Sequence, residues 1–161
     1  MRAWSDRAPE VAHLLNPAFC AEVCRRATHA YTAQSGAPLP VPLAYLILPM
    51  LLHRETRAEF SHRTRQKMHS WIQEHPELRV GFADRVRRFA PYTLEALSFL
   101  VCTGSATLSK GGLSLSSFRP KPMTGRDDVV SEIYRKSGTV GRWLADSGTP
   151  EAAYTTWGVR P

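Results

Sequence analysis

The segment Leu39 to His53, LPVPLAYLILPMLLH, carries no charged residue before its end. A helix on the surface of a globular domain interrupts its apolar residues with charge about once per turn. An uninterrupted run therefore predicts an element enclosed on all sides, a buried helix over Pro42 to His53. Pro42 suits the first helical position, where a missing N–H has no partner to lose, and Pro38 and Pro40 keep the approach extended. Pro49, inside the run, removes one backbone hydrogen bond and predicts a kink near Tyr45 or Leu46, at a cost of about 3 kcal/mol. Burying Leu43, Leu46, Ile47, Leu48, Met50, Leu51 and Leu52 returns roughly 1.5–3 kcal/mol each before chain entropy, which outweighs that defect. The run is too short to cross a bilayer, which takes about 20 apolar residues, and Arg54 and Arg57 follow at once.

A chain of 161 residues fits one domain, able to bury about 70% of its unfolded surface. Its 43% hydrophobic and 22% charged residues are those of an ordinary soluble protein, and MRAWSDRAPE lacks the apolar core of a targeting segment, which points to the cytoplasm. Cys20, Cys24 and Cys102 are an odd set without clustered spacing, so free thiols are expected rather than a disulfide framework. A formal charge of +7 suits contact with nucleic acid or with an acidic protein.

Residues 1–15 read as an irregular arm in which Trp4, Val11, Leu14 and Leu15 are apolar enough to dock. Asn16 as cap and Pro17 at the first position begin a helix whose apolar side holds Phe19, Cys20, Val23, Cys24, Ala27, Ala30 and Tyr31, ending before Ser35 and Gly36. Cys20 and Cys24 lie one turn apart without a completing Cys or His pair, so they read as small buried hydrophobes. Beyond the central run, Ser61 predicts a cap for a helix from His62 to about Glu74, with Thr64, Met68, Trp71 and Ile72 inward and Arg63, Arg65, Lys67 and His69 outward. His53, His62, His69 and His75 lack the i, i+4 spacing with glutamate of a helical zinc site, and no metal or cofactor is expected.

Pro76 predicts a further helix, PELRVGFADRVRRF, turning Leu78, Phe82, Val86 and Phe89 inward and Arg79, Arg85, Arg87 and Arg88 outward. Pro91 predicts a break, and YTLEALSFLVCTG reads as a separate, largely apolar helix through Leu94, Leu97, Phe99, Leu100 and Val101, stopped at Gly104. In ATLSKGGLSLS, alternation around Lys110, Gly111 and Gly112 signals a β-hairpin. Helix, helix and hairpin over residues 76–116 have the order of a winged-helix module, within a mainly α single domain spanning 16–161. The helix before the wing is too apolar to read base edges, so the scaffold suits protein docking, since a fold does not fix its function. Residues 117–126 read as a basic loop and 127–161 as C-terminal helices. Asp127 and Asp128 favour the first helix start, and Gly138 and Gly141 suggest close approach to another backbone. The tail Tyr154, Trp157, Val159 is expected to be tied down on this domain or on a partner, and these three residues are the candidate partner anchors.

The order of NPAF (16–19), PLPVPLAYLILPMLLH (38–53), EHPELRVGFADR (74–85), PYTLEALSFL (91–100) and GRWLADSGTPEAAYTTWGVRP (141–161) resembles the middle component of three-component ABC systems. Specifically, it is similar to the small subunit of Lamassu-type bacterial anti-phage defence, encoded between an effector and an SMC-like ABC ATPase. The resemblance implies an adaptor without catalytic residues, with that ATPase and an effector such as a nuclease as partners and no membrane partner.

The residue chemistry agrees. No GxxxxGK[ST] loop, HExxH, GxSxG or paired-carboxylate constellation is present, and Ser98, Ser105 and Ser109 lack a triad context. Arg85, Arg87 and Arg88, with Lys110 at the hairpin tip, are the candidate phosphate contacts, in a DNA-binding module or in a DNA channel completed by the assembled complex.

Overall fold

The computed structural model describes residues 15–60, 66–121 and 128–160. The chain starts as its local chemistry predicts. Asn16 Oδ1 accepts from the Ala18 N–H at 2.8 Å, Pro17 fills the first turn, and α1 runs Pro17–Ser35 until Gly36, at φ 70°, donates back to the Thr32 carbonyl. A short strand, β1 (Leu39–Pro40), leads into α2 (Val41–Leu52), which contains Pro49 and buries Leu43, Leu46, Ile47, Leu48, Met50 and Leu51. The apolar run is therefore the enclosed helix that its lack of charge required. His53 ends it and caps α3 (Arg54–Ala58).

Met68–Glu74 forms α4, and Pro76–Arg79 is a single 3-10 turn. Met68, Trp71 and Ile72 face inward as expected, while the proposed Ser61 cap and Arg63, Thr64 and Arg65 lie outside the described residues. The main departure follows. The two helices expected on either side of Pro91 are one helix, α5 (Phe82–Cys102), with Pro91 in its interior. Pro91 lies on the exposed side, and so does Arg87, whose carbonyl loses its helical donor. Water can satisfy that carbonyl, while the opposite face buries Phe82, Val86, Thr93, Ala96, Leu97 and Leu100 and holds the helix together. Gly81, at φ 69°, makes the corner that separates the 3-10 turn from α5.

β2 (Ala106–Ser109) and β3 (Gly112–Leu115) form the hairpin expected from Lys110-Gly111, with both turn residues at positive φ. β3 also pairs with β1, giving a three-stranded antiparallel sheet of order β1-β3-β2 in which Leu113 stands opposite Leu39 on one side and Leu108 on the other. The helix–helix–hairpin order expected over 76–116 is thus one long helix and a hairpin whose third strand comes from residues 39–40. The chain closes with α6 (Val129–Asp146), capped by Asp128 Oδ1 on the Ser131 N–H at 2.7 Å, and α7 (Pro150–Thr156), capped by Thr149. The most extensive helix packing is between α1 and α6. Gly141 permits it: a Cβ there would stand 2.1 Å from the Ala27 carbonyl oxygen, whereas one at Gly138 would meet nothing nearer than 3.5 Å. One hydrophobic core runs through the sheet and every described helix except α3, and among the described residues no helix is long and apolar enough to cross a membrane.

Candidate functional site

The tail residues expected as partner anchors face inward. Trp157 is 1% exposed, its ring stacked on Phe82 at 4.0 Å and its Nε1–H directed at Met68 Sδ at 3.3 Å. The Tyr154 hydroxyl donates to the Pro42 carbonyl at 2.8 Å, and Val159 is buried as well. Trp157 also meets Trp71, which packs on Trp143 and Phe60, so the tail completes an aromatic cluster linking α4, α5 and α6. Of the two options for a terminal tryptophan, the structure takes packing on its own domain. Tyr154, Trp157 and Val159, the candidate partner anchors, are thus packed on this domain with little of their surface exposed.

The basic candidates divide. Arg85 is half-buried and turned into the fold, donating to Thr56 Oγ1 and to the Leu78 carbonyl, each at 3.1 Å. Its guanidinium thus turns inward where an outward direction was expected, and burial lowers its pKa. Arg87 and Arg88 are exposed, Arg87 bridged to Asp84 at 2.7 Å across one turn, and Lys110 is exposed at the hairpin tip. The hairpin brings that tip back toward the start of α2, where the Val41 N–H donates to the Gly111 carbonyl at 3.0 Å. Pro42, the next residue, lines a cleft together with Arg87 and Arg160. Arg87, Arg160 and Lys110 therefore share one end of the molecule, a grouping that the sequence does not display because Arg160 lies in the tail and β1 is only two residues long.

A different pair of ion contacts fixes the opposite side. Buried Arg57 donates to the Leu51 carbonyl at 2.9 Å and to Glu132 Oε2 at 3.2 Å, and Lys136 Nζ donates to Glu132 Oε1 at 2.6 Å. Burial alone would raise the Glu132 pKa, but hydrogen bonds and charge from Lys136 and Arg57 hold it below the ordinary value. Above this link opens an apolar groove of about 880 Å³, walled by Leu15 and Phe19 of the α1 start, Leu52, Phe89, and Val130 and Ile133 of the α6 start.

A second apolar feature escaped the sequence reading. Pro91, Leu94, Ser98 and Val101 recur at spacings of three and four along α5 and are all exposed, Leu94 by 50%. β2, which packs against α5, is an edge of the sheet and exposes Leu108 by 50%. The signal was present in the sequence. Splitting the apolar positions of this helix by a 3.6-residue period separates Leu97 and Leu100, which are buried, from Leu94 and Val101, which are not.

Among the described residues no group of His, Cys, Asp and Glu could hold a metal ion. Cys20 and Cys24 are buried free thiols; burial pushes Cys20 up to about 12 and Cys24 higher still, so neither is a ready thiolate. What the surface offers is two apolar areas and a basic end, which is the chemistry of binding. No curated protein and no solved structure matches the chain. Residues 4–161 match the family described as ABC-three component (ABC-3C) system Middle Component 3, and the chain belongs to that family.

Proposed function

We propose that this middle component is a non-catalytic adaptor of a Lamassu-type anti-phage defence complex in the cytoplasm, bridging an SMC-like ABC ATPase and an effector. The observation that carries the reading is the family match over residues 4–161, which assigns the chain to a system of three components. The surface is consistent with an adaptor: the ridge of Leu94 and Val101 on α5 and Leu108 on the β2 edge leave large apolar side chains exposed. An edge strand beside an apolar helix face can take a partner's strand as well as its side chains. With Trp157 in the core, we place the partner surface on this ridge instead of on the tail.

A second reading, sequence-independent DNA contact, is favoured by the convergence of Arg87, Arg160 and Lys110 at one end. The half of α5 next to the hairpin exposes mainly apolar side chains, Leu94, Phe99 and Val101, which suits phosphate contact and not base reading. In the assembled complex this end would add basic surface to a composite DNA channel. The test is reconstitution. Mixed with the ATPase and the effector, the chain should bring all three into one species on size exclusion, while ATPase and effector without it stay apart. Alone it should hydrolyse no ATP and cut no DNA. ATPase and effector associating equally well without this chain would overturn the bridging role.

A further inference from the structure

The basic segment that follows the hairpin is fastened to α1. Phe118 lies on the outer face of that helix, with the Arg25 guanidinium 4.0 Å over its ring and the His29 ring edge-on at 5.5 Å between centroids. Three residues further on, the Lys121 carbonyl accepts from Nη1 and Nη2 of Arg26 at 3.4 and 3.5 Å. Arg25, Arg26 and His29 share one helix face with Glu22, which bridges both arginines. Residues 118–121 are thus held at both ends, and Pro120 restricts the backbone between them. Arg119 and Lys121 stay exposed.

A segment held by ring and guanidinium contacts instead of by apolar burial presents its cations in fixed places. The single charge of Glu22 is set against four of them, Arg25, Arg26, Arg119 and Lys121. From Phe118 and His29 a cleft of about 320 Å³ leads between the end of α1 and β3, past Thr32 and Ser114, to Pro38. Its lining carries hydroxyls and a histidine and, among the described residues, no carboxylate. Pro38 stands beside the hairpin tip, since a Cβ on Gly112 would lie 2.8 Å from the Pro38 Cβ, and Lys110 precedes Gly112 by two positions. Cations at both ends of a polar cleft suit a row of regularly spaced negative charges, and hydroxyls, like arginine and lysine, are groups that contact phosphate and sugar. A small anion would need these donors to converge on one point, whereas here they are spread along a line. We propose that this face binds the sugar–phosphate backbone of a nucleic acid without base preference, with Arg119 and Lys121 as phosphate contacts and Phe118 as the positioning residue that holds their segment. The site deepens the DNA-contact reading and rests on residues other than Arg87 and Arg160, so that either can fail alone.

The experiment is fluorescence anisotropy of a short labelled DNA duplex, and of one of its strands alone, titrated with the full chain across a salt series. Arg119→Ala/Lys121→Ala should lower the salt slope by about 1.8 on the duplex or about 1.4 on the single strand, which is about 0.9 or 0.7 for each lost contact. The form with the larger loss is the one the face takes. Phe118→Ala keeps every charge but frees the segment, and should weaken binding at each salt concentration, whereas Phe118→Tyr keeps a ring under Arg25 and should bind like the parent. Arg54→Ala/Lys67→Ala removes the same charge from exposed positions elsewhere and should leave the slope near the parent value. Equal slopes for the parent and Arg119→Ala/Lys121→Ala, or no binding of either DNA at low salt, would overturn the proposal. An equal loss in the Arg54/Lys67 variant would do the same, by reducing the binding to net charge. So would displacement of the DNA by polyglutamate at matched charge concentration, which would assign the face to an acidic protein.

Discussion

Two glycines in α6, three residues apart, should respond to the same substitution with opposite signs. A Cβ on Gly141 would lie 2.1 Å from the Ala27 carbonyl oxygen and 2.9 Å from the Ala30 Cβ. Cβ atoms essentially never approach within 3.0 Å, so α1 and α6 would have to part by roughly 0.9 Å or more. The obstacle is backbone, which cannot swing aside as a long side chain would, and the interface it pries open is the largest between helices. Overpacking of this kind costs typically about 1–3 kcal/mol, and here the upper end applies. Alanine returns about 1 kcal/mol of helix propensity, so Gly141→Ala should lose about 2 kcal/mol net. At Gly138 the nearest atom is the flexible Arg142 Nη1 at 3.5 Å, an ordinary van der Waals distance. Gly138→Ala should therefore gain about 0.5–1 kcal/mol. For a chain of this size 1 kcal/mol moves Tm by about 2–4 °C, so far-UV thermal melts should show a fall of about 4–8 °C for Gly141→Ala and a rise of about 1–4 °C for Gly138→Ala. A melt of Gly141→Ala at or above the parent temperature would refute the close packing of α1 on α6.

Trp157→Ala should destabilise by about 3–5 kcal/mol, read as a lower urea midpoint, because it empties the site between Phe82 and Met68; an unchanged midpoint would place the ring outside the core. Leu46→Asp or Leu48→Asp should abolish cooperative melting, since an unpaired charge in the enclosed α2 costs several kcal/mol against a typical total of about 5–15 kcal/mol. Stability should fall on acidification in two windows. The first is His53, whose Nδ1 accepts the Thr56 N–H and whose pKa is lowered from 6.5 by burial and by Arg85; its contribution is present above pH 6.5 and lost as pH falls through its lower folded value. His53→Asn keeps an acceptor for the cap and should flatten that window. The second is Glu132, depressed from 4.5, whose contribution is present above pH 4.5 and lost below; Glu132→Gln should remove that part of the acid limb.

What was legible in the sequence follows a physical rule. Features set by neighbours along the chain were readable: the charge-free run as an enclosed helix, the Asn16–Pro17 start, the Lys110-Gly111 turn, and the helix start at Asp127–Asp128. Features set by what packs from far away were not. Pro91 looks like a break, and only the burial of Val86, Ala96 and Leu97 on the opposite face carries α5 past it. β1 is two residues long and exists because β3 pairs with it, which no local pattern announces. The inward turn of Arg85 depends on Thr56, which lies 29 positions earlier. Trp157 could have faced either way until Phe82 and Met68 were placed beside it. The sequence displayed the basic and apolar residues but not which of them stay exposed or share one end, because exposure is a property of the assembled helices.

The most direct measurement is size exclusion of the chain with its ATPase and effector, run on two variants that melt at the parent temperature and paired with a salt-titrated DNA-binding assay. Leu94→Asp/Leu108→Asp, which charges the exposed ridge, should leave the complex. Alanine at Arg87, Arg88, Lys110 and Arg160 should stay in the complex but weaken its DNA binding, with the salt slope falling by about 0.9 for each phosphate that is no longer neutralised. A ridge variant that assembles like the parent, with the basic variant dropping out, would contradict the account and move the adaptor surface to the basic end.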